Sequence, residues 1–463
     1  MKKRFLSAMA ITAVAACTSL TLSSCGGKAD EAHTIVFYHT MGDSLQTVLQ
    51  TAIDSFQTKY PEWTIESTQV GGYDDVRDTI IGDLQGGTQP DLAYCYADHV
   101  AQYITTSKVV DMTKFINSKE KVTMADGTEV AVGYEAAEIS DFVPGYYAEG
   151  LATNFADYSK YGYSDTAMFT LPFVKSTEVL YYNADALIAA GVKNADGTAK
   201  VPTTWDELWD ACTKVKAKYP KSTPLGYDSE ANWFITLCEQ NGWTYTNAQA
   251  PHYGFNNTGT QGWLTSLKEK FEDGLFTTQN IYGAYTSNLF VKGAEEGTIF
   301  SIGSSGGASH QASEAFKWGV APIPGSKVGD KINNQAISQG PNLCMFNTSS
   351  DNATEKELMT WMFVKEILDP TFQCSFSMKS GYNPARQSAF EIDAYKDFLT
   401  NTGNIVAVTA NVAKGMNERF FTSPAFQGSS TARDQVGTAL QYAITGEKEV
   451  TKALADAMKK CGA

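Results

Sequence analysis

Gly303-Ser304-Ser305-Gly306-Gly307 fits the pattern G-x-S-x-G. In that pattern a serine is held at a sharp strand-to-helix turn and attacks as a nucleophile. Thr298-Ile299-Phe300-Ser301-Ile302 reads as the strand and residues 308–316 as the helix, so Ser305 has the expected setting. The chemistry also needs an acid and then a histidine, both later in the chain. The one histidine beyond Ser305 is His310, inside the same expected helix, and it cannot serve as the distal base. The loop then reads as a Gly/Ser turn whose N–H groups and hydroxyls approach a ligand closely. His33, His39, His99 and His252 are scattered, and no pair forms the zinc-protease H-E-x-x-H. A phosphate-binding P-loop and a dinucleotide G-x-G-x-x-G after a strand are also missing. Asp74-Asp75, Asp206-Glu207 and Glu295-Glu296 read as helix starts and solvated faces; on spacing alone, a glycosidase pair stays open. Neither metal nor cofactor is expected.

The elements that position these residues alternate. Thr34-Ile35-Val36-Phe37-Tyr38 is a β-branched and aromatic run that predicts a buried strand. Leu45, Val48, Leu49, Ala52, Ile53 and Phe56 follow at helical spacing, closed by Tyr60-Pro61. Trp63-Thr64-Ile65 begins a second strand, residues 76–84 a second helix, and Pro90-Asp91-Leu92-Ala93-Tyr94 a third strand. Strands separated by helices predict parallel βαβ units and the α/β class. Residues 123–132 read as a hairpin around Asp126-Gly127. Thr204 and Glu207 predict a capping box ahead of a helix with Trp205, Leu208, Cys212 and Val215 on one face. Residues 355–368 predict another helix, stopped by Asp369-Pro370. Trp205, Trp209 and Trp361 are read as core on this periodicity.

The N-terminus explains where the chain works. Met1-Lys2-Lys3-Arg4 is basic, and residues 5–22 carry no charge. That is the layout of a secretory signal. Leu22-Ser23-Ser24-Cys25 resembles a bacterial lipobox, which implies cleavage after residue 24 and acylation of Cys25. Two or three acyl chains anchor a protein stably where one does not. Residues 25–32 then serve as a flexible tether through Gly26 and Gly27. The alternative is a retained transmembrane helix near the lower length limit.

The formal charge of -15 becomes -18 once Lys2, Lys3 and Arg4 are removed with the signal. Such a surface repels nucleic acid and anionic headgroups. Four arginines remain, Arg77, Arg386, Arg419 and Arg433, which argues against a polyanionic ligand. Cys95, Cys212, Cys238, Cys344, Cys374 and Cys461 have no metal-ligand spacing and read as small buried hydrophobes. The mature length is too great for one core, so two lobes are expected.

Residues 171–187, LPFVKSTEVLYYNADAL, followed by residues 202–208, PTTWDEL, resemble the family 1 extracellular solute-binding proteins of ABC importers. Residues 34–45 are similar to that family's first strand and ligand-facing turn, and residues 381–386 to its late G-Y-x-P segment. The resemblance runs from about residue 34 to 445 and is nearest the glycerol-3-phosphate-binding branch. It implies ligand contacts at Tyr73, Ser176, Thr177, Trp233, Ser304, Ser305, Gly306 and Tyr382. Two departures stand out against that branch. Residues 96–98 read Tyr-Ala-Asp where the branch has an acid directly after the third strand. Residues 420–426, FFTSPAF, lack its basic residue, which argues against a phosphate. The loop 303–307 lacks the tryptophan of the maltose-binding branch, which argues against a stacked maltodextrin.

A sugar or polyol site needs flat apolar faces and a few fixed polar groups. Tyr38, Tyr73, Tyr96, Trp233 and Tyr382 offer the faces, each against the alternative of core packing. Asp43, Asp98, Ser176, Thr177 and Ser305 offer the polar groups, and Gly340 a close backbone approach or a plain turn. The expectation is therefore a two-lobe α/β periplasmic-binding-protein-like fold with an interlobe cleft. Lobe one would hold residues 33–177 and 335–373, and lobe two residues 179–334 and 374–463. The protein would be a lipid-anchored binder on the extracellular face of the cell membrane, delivering a carbohydrate or polyol to ABC importer permease subunits and binding no nucleic acid. The alternatives are a secreted hydrolase using Ser305 or a carboxylate pair, and a surface adhesion or scaffold protein.

Overall fold

The computed structural model describes residues 31–348 and 352–463. The expected signal segment, the acylated Cys25 and most of the tether lie outside the described residues. Two five-stranded sheets organise the rest. In the first, Thr64–Gln69, Thr34–His39 and Leu92–Cys95 are parallel neighbours, followed by Asn342–Met345 and Leu171–Pro172. In the second, Phe276–Thr278, Leu225–Tyr227 and Phe300–Ser304 are parallel, followed by the antiparallel Glu178–Asn183 and then Trp318–Pro322. The first sheet takes Asn342–Met345 back from beyond the second lobe, the second is drawn from residues 178–322 alone, and each has its own apolar core.

Local sequence explains the covering helices. Asp43–Lys59 buries Leu49, Ala52, Ile53 and Phe56, one stripe at helical spacing against the first sheet. Trp205–Lys218 buries Trp205, Leu208, Ala211, Cys212 and Val215. Thr204 caps it by accepting from Glu207 N at 3.3 Å. The expected box closes one residue earlier, because Glu207 Oε2 accepts from Thr203 N at 2.9 Å. Asp369-Pro370 ends the helix Ala353–Ile367 and also opens Pro370–Ser380, with Asp369 as cap and proline in the first turn, where its missing N–H costs nothing. Lys121–Thr123 and Glu129–Ala131 form the expected hairpin.

The lobes are joined by paired crossings. Ser176 N donates to Gln339 O, and Gln339 N to Ser176 O, both at 2.9 Å. Thr177 Oγ1 donates to Ile337 O at 2.9 Å. Asn383 and Pro384 pair antiparallel with Lys175 and Val174. Residues 174–177 are thus the middle rung of a three-segment hinge. Ala336 and Ile337 pack in the second core and Phe376 in the first, so the return crossing lies at residues 338–340, and the third follows Phe376. These positions depart from the boundaries expected at 335 and 374, because the apolar side chains at the hinge choose a core by which sheet they touch.

Candidate functional site

The cleft is built where loops leave the parallel strands of the first sheet and face the second lobe, the place where open α/β sheets bind ligands. Gly71-Gly72 leads into Tyr73–Gly86, and Asp75 Oδ2 accepts from Gly72 N at 2.8 Å to fix the turn. That places Tyr73 at the cleft. Tyr96 follows the strand Leu92–Cys95 and caps Ala97–Tyr103. The two rings stack, 4.3 Å between centroids and 21° between planes. Tyr382 enters from the third crossing and lies flat on Gly306, where a Cβ would sit 2.5 Å from its Cζ. Gly306 is therefore a glycine because an aromatic ring occupies the space of a side chain. The Tyr73 hydroxyl is shut off from water and faces the hydroxyls of Tyr382 and Tyr96.

Beside this wall lies a small interlobe cavity of about 60 Å³. Tyr96, Asp98 and Asn342 line it from the first lobe, Tyr245 and Arg433 from the second, and Lys175 and Gln339 from the hinge. Lys175 Nζ binds Glu149 Oε2 at 2.6 Å, with side-chain exposures of 2% and 8%. Ser338 Oγ donates to the other Glu149 oxygen at 2.7 Å. The Lys175 charge is spent on the hinge. Arg386 is spent on Asp141 at 2.8 Å, and Arg77 contacts Asp74, Asp78 and, across the cleft, Asp434 at 3.5 Å. Arg433 is the arginine that reaches the cavity. Burial works against its charge, and Asp98, Tyr245, Tyr96 and Asp74 outweigh it and hold the guanidinium charged. On its other side a second cavity, about 340 Å³, is lined by Asp74, Asp228, Glu230 and Asp434.

Arg433 is aimed by buried groups. Its guanidinium donates to Asn232 Oδ1. Asn232 Nδ2 donates to Glu178 Oε1 at 3.1 Å, and Tyr227 Oη to Glu178 Oε2 at 2.6 Å. Burial raises the Glu178 carboxyl to about 7, against the opposing hydrogen bonds from Tyr227 and Asn232.

The expected residues divide. Tyr73, Tyr96, Asp98, Gly306 and Tyr382 come together at the cleft. Ser176 and Thr177 are hinge residues, 1% and 0% exposed. Ser304 Oγ donates to Ser176 Oγ at 3.3 Å and accepts from Gly306 N. Ser305 is fully buried; its N donates to Thr177 O at 2.8 Å and its Oγ accepts from Thr177 N at 3.3 Å. A 3₁₀ helix, Ser305–Gln311, replaces the expected α-helix, and His310 is exposed. The nucleophile elbow is thus a hinge joint. Trp233 is a correction: it is fully buried in the second core, stacked on Tyr227 at 4.5 Å and 9°. Gly340 is another. Its φ is +94°, and a Cβ would sit 2.5 Å from Val174 O, so it permits the crossings to touch each other instead of a ligand. Tyr38 packs at the edge of the first lobe beside Asp83, and Asp43 is exposed in the first turn of its helix; neither lines the cavity.

Two α/β lobes, three crossings and an interlobe cleft define a hinged binding protein. The model of the bacterial extracellular solute-binding proteins matches residues 51–401, and the chain belongs to that family. It is 22% identical to the sn-glycerol-3-phosphate-binding periplasmic protein UgpB of Escherichia coli K12, over 94% of this chain and 93% of that one. The same protein of Pectobacterium atrosepticum is also 22% identical, over 97% and 95%. In fold it is similar to UgpB of Mycobacterium tuberculosis, solved with glycerophosphocholine, with TM-score 0.72, 17% identity, and 93% and 97% coverage. It is likewise similar to maltose-bound MalE3 of T. maritima, with TM-score 0.70, 15% identity, and 93% and 99% coverage.

Proposed function

We propose that this chain captures a neutral sugar or polyol in the cleft beside Tyr73, Tyr96 and Tyr382 and delivers it to the permease of an ABC importer. The observation that carries this reading is the charge balance of the cleft. Arg433 stands among Asp98, Asp74 and Asp434, and Lys175 is paired with Glu149, so no uncompensated cation awaits a phosphate. What remains is an aromatic wall with hydroxyl, carboxylate and guanidinium groups at its edge, which suits C–H faces and hydroxyls of a polyol. Relatives named for glycerol-3-phosphate and neighbours solved with maltose bracket this ligand class. Closure follows from contacts made to both lobes at once. Ser305 plays no chemical part, since its hydroxyl is buried in the hinge.

The proposal includes the membrane anchor. Residues 1–24 would be removed as the signal, and Cys25 acylated, with residues 25–32 as the tether and the folded lobes on the extracellular face. No helix among the described residues is long and apolar enough to cross a membrane. Radiolabelled palmitate entering the wild-type chain but not Cys25→Ala tests the anchor. A thermal-shift screen with neutral oligosaccharides, polyols, glycerol phosphates and their diesters tests the ligand class, since a solute bound only by the native state raises the melting temperature saturably.

A further inference from the structure

Five of the eight tryptophans, Trp205, Trp209, Trp233, Trp243 and Trp263, line one groove of about 250 Å³ on the second lobe. The groove shares no lining residue with the cleft cavity. Trp233 forms its floor. Trp209 lies nearly parallel to it, 6.3 Å away at 29°, and Trp263 stands edge-on at 6.1 Å and 71°. Trp205 and Trp233 are buried, but Trp209, Trp243 and Trp263 are half-buried and leave indole surface facing water. The Trp233 indole N–H, closed off from water, has no acceptor among the described residues.

The rim is polar, with Asp206 against two lysines, Lys270 and Lys327. Asp206 and Lys327 face each other at 3.9 Å and are both largely exposed. Lys270 Nζ donates to Ser266 Oγ at 2.7 Å and lies 5.5 Å from the Trp209 ring centroid. Asp206 offsets one of the two lysines, and the remaining charge, on Lys270, is held by a long side chain beside the Trp209 ring. A lipid or an apolar side chain would have to strip water from Asp206 and Lys327 without replacing it. A hexose ring meets both demands, since its C–H face lies on an indole while its hydroxyls reach the carboxylate, ammonium and hydroxyl groups at the edge.

We propose that this tryptophan groove is a second, accessory site that binds a hexosyl unit of a neutral oligosaccharide outside the cleft. Shallow, open and half-wet, it holds the sugar loosely and raises the local concentration of substrate at the lobe that must close over it.

The test is ¹⁹F NMR of the full chain in detergent, labelled with 5-fluorotryptophan and titrated with maltotriose, cellotriose or N,N′,N″-triacetylchitotriose. The Trp209, Trp243 and Trp263 resonances are expected to shift saturably with at least one of these, while Trp63 and Trp361 in the first lobe stay fixed. The response should survive Arg433→Met, which addresses the cleft. Trp263→Ala should weaken it by about tenfold, the loss of roughly 1.4 kcal/mol of stacking. The surface variant Asp206→Arg, which leaves the core untouched, should also weaken it. Groove resonances that stay still with all three sugars overturn the proposal, as does a response that disappears in Arg433→Met or is unchanged in Asp206→Arg.

Discussion

Tyr96 lies face to face with Tyr73, so two loops at the ends of Leu92–Cys95 and Thr64–Gln69, the strands on either side of Thr34–His39, share one aromatic surface. The stack gives the cleft a rigid wall before any ligand arrives. Preorganisation of this kind lowers the ordering cost of binding. Tyr96→Ala removes the ring that both borders the cavity and supports Tyr73, and it is expected to weaken ligand binding by more than about tenfold, equivalent to ~1.4 kcal/mol. Tyr96→Phe keeps the ring and should retain most of the affinity. Calorimetric titration of both variants checks this. Equal losses would show that the hydroxyl, and not the face, is what the ligand uses.

The Lys175–Glu149 pair is buried at the hinge, and removing one partner strands the other charge. Glu149→Gln or Lys175→Met is expected to destabilise the fold by about 3–5 kcal/mol. The double replacement should cost less than the two single losses added together, since no charge is then left unpaired. Urea unfolding of the four proteins measures the coupling. Additive losses would mean that water already reaches the pair.

Glu178 makes stability depend on pH in a defined direction. Its folded value is about 7 against an ordinary 4.5, so between those limits the folded state holds more protons than the unfolded one. Its contribution is present in full below 4.5 and is lost as pH rises through 7, by on the order of 3 kcal/mol. Glu178→Gln removes this dependence. The difference in unfolding free energy between wild type and variant should therefore move towards the variant from pH 4.5 to 7.5. A difference independent of pH would place the carboxylate in contact with water or with the Arg433 charge.

Much of the architecture was legible because it is local. The β-branched run at Thr34–Tyr38, the stripe from Leu49 to Phe56 and the Thr204 cap each fix an element from a few neighbouring residues. Tyr73 and Tyr382 stood out as candidate faces through the family resemblance, and Tyr96 as a flat ring directly after the third strand. The charges were not. Arg433 and Glu149 stand far from the cleft motifs in sequence and meet them only in the folded chain. Lys175 stood inside the quoted segment, but its pairing with Glu149 depends on a loop that no local pattern specifies. Trp233 misled for a related reason. An indole that fills a core and one that faces a ligand look alike in sequence, and its stack on Tyr227 is a long-range contact. Gly340 carried a true signal, a positive φ, with a different neighbour from the one expected.

The central claim is that the cleft takes a neutral solute in which Arg433 acts as a hydrogen-bond donor whose charge is already balanced. Isothermal titration of the full chain with neutral sugars and polyols, and with glycerol phosphates, at low and high salt tests it most directly. The account predicts saturable binding of a neutral solute with an affinity that hardly changes with salt, because no ion pair forms between protein and ligand. Arg433→Met should weaken it by about 10- to 100-fold, the range for losing a hydrogen bond to a charged group. Binding of a phosphate-bearing solute alone, with an affinity that falls steeply as salt rises, would contradict the account.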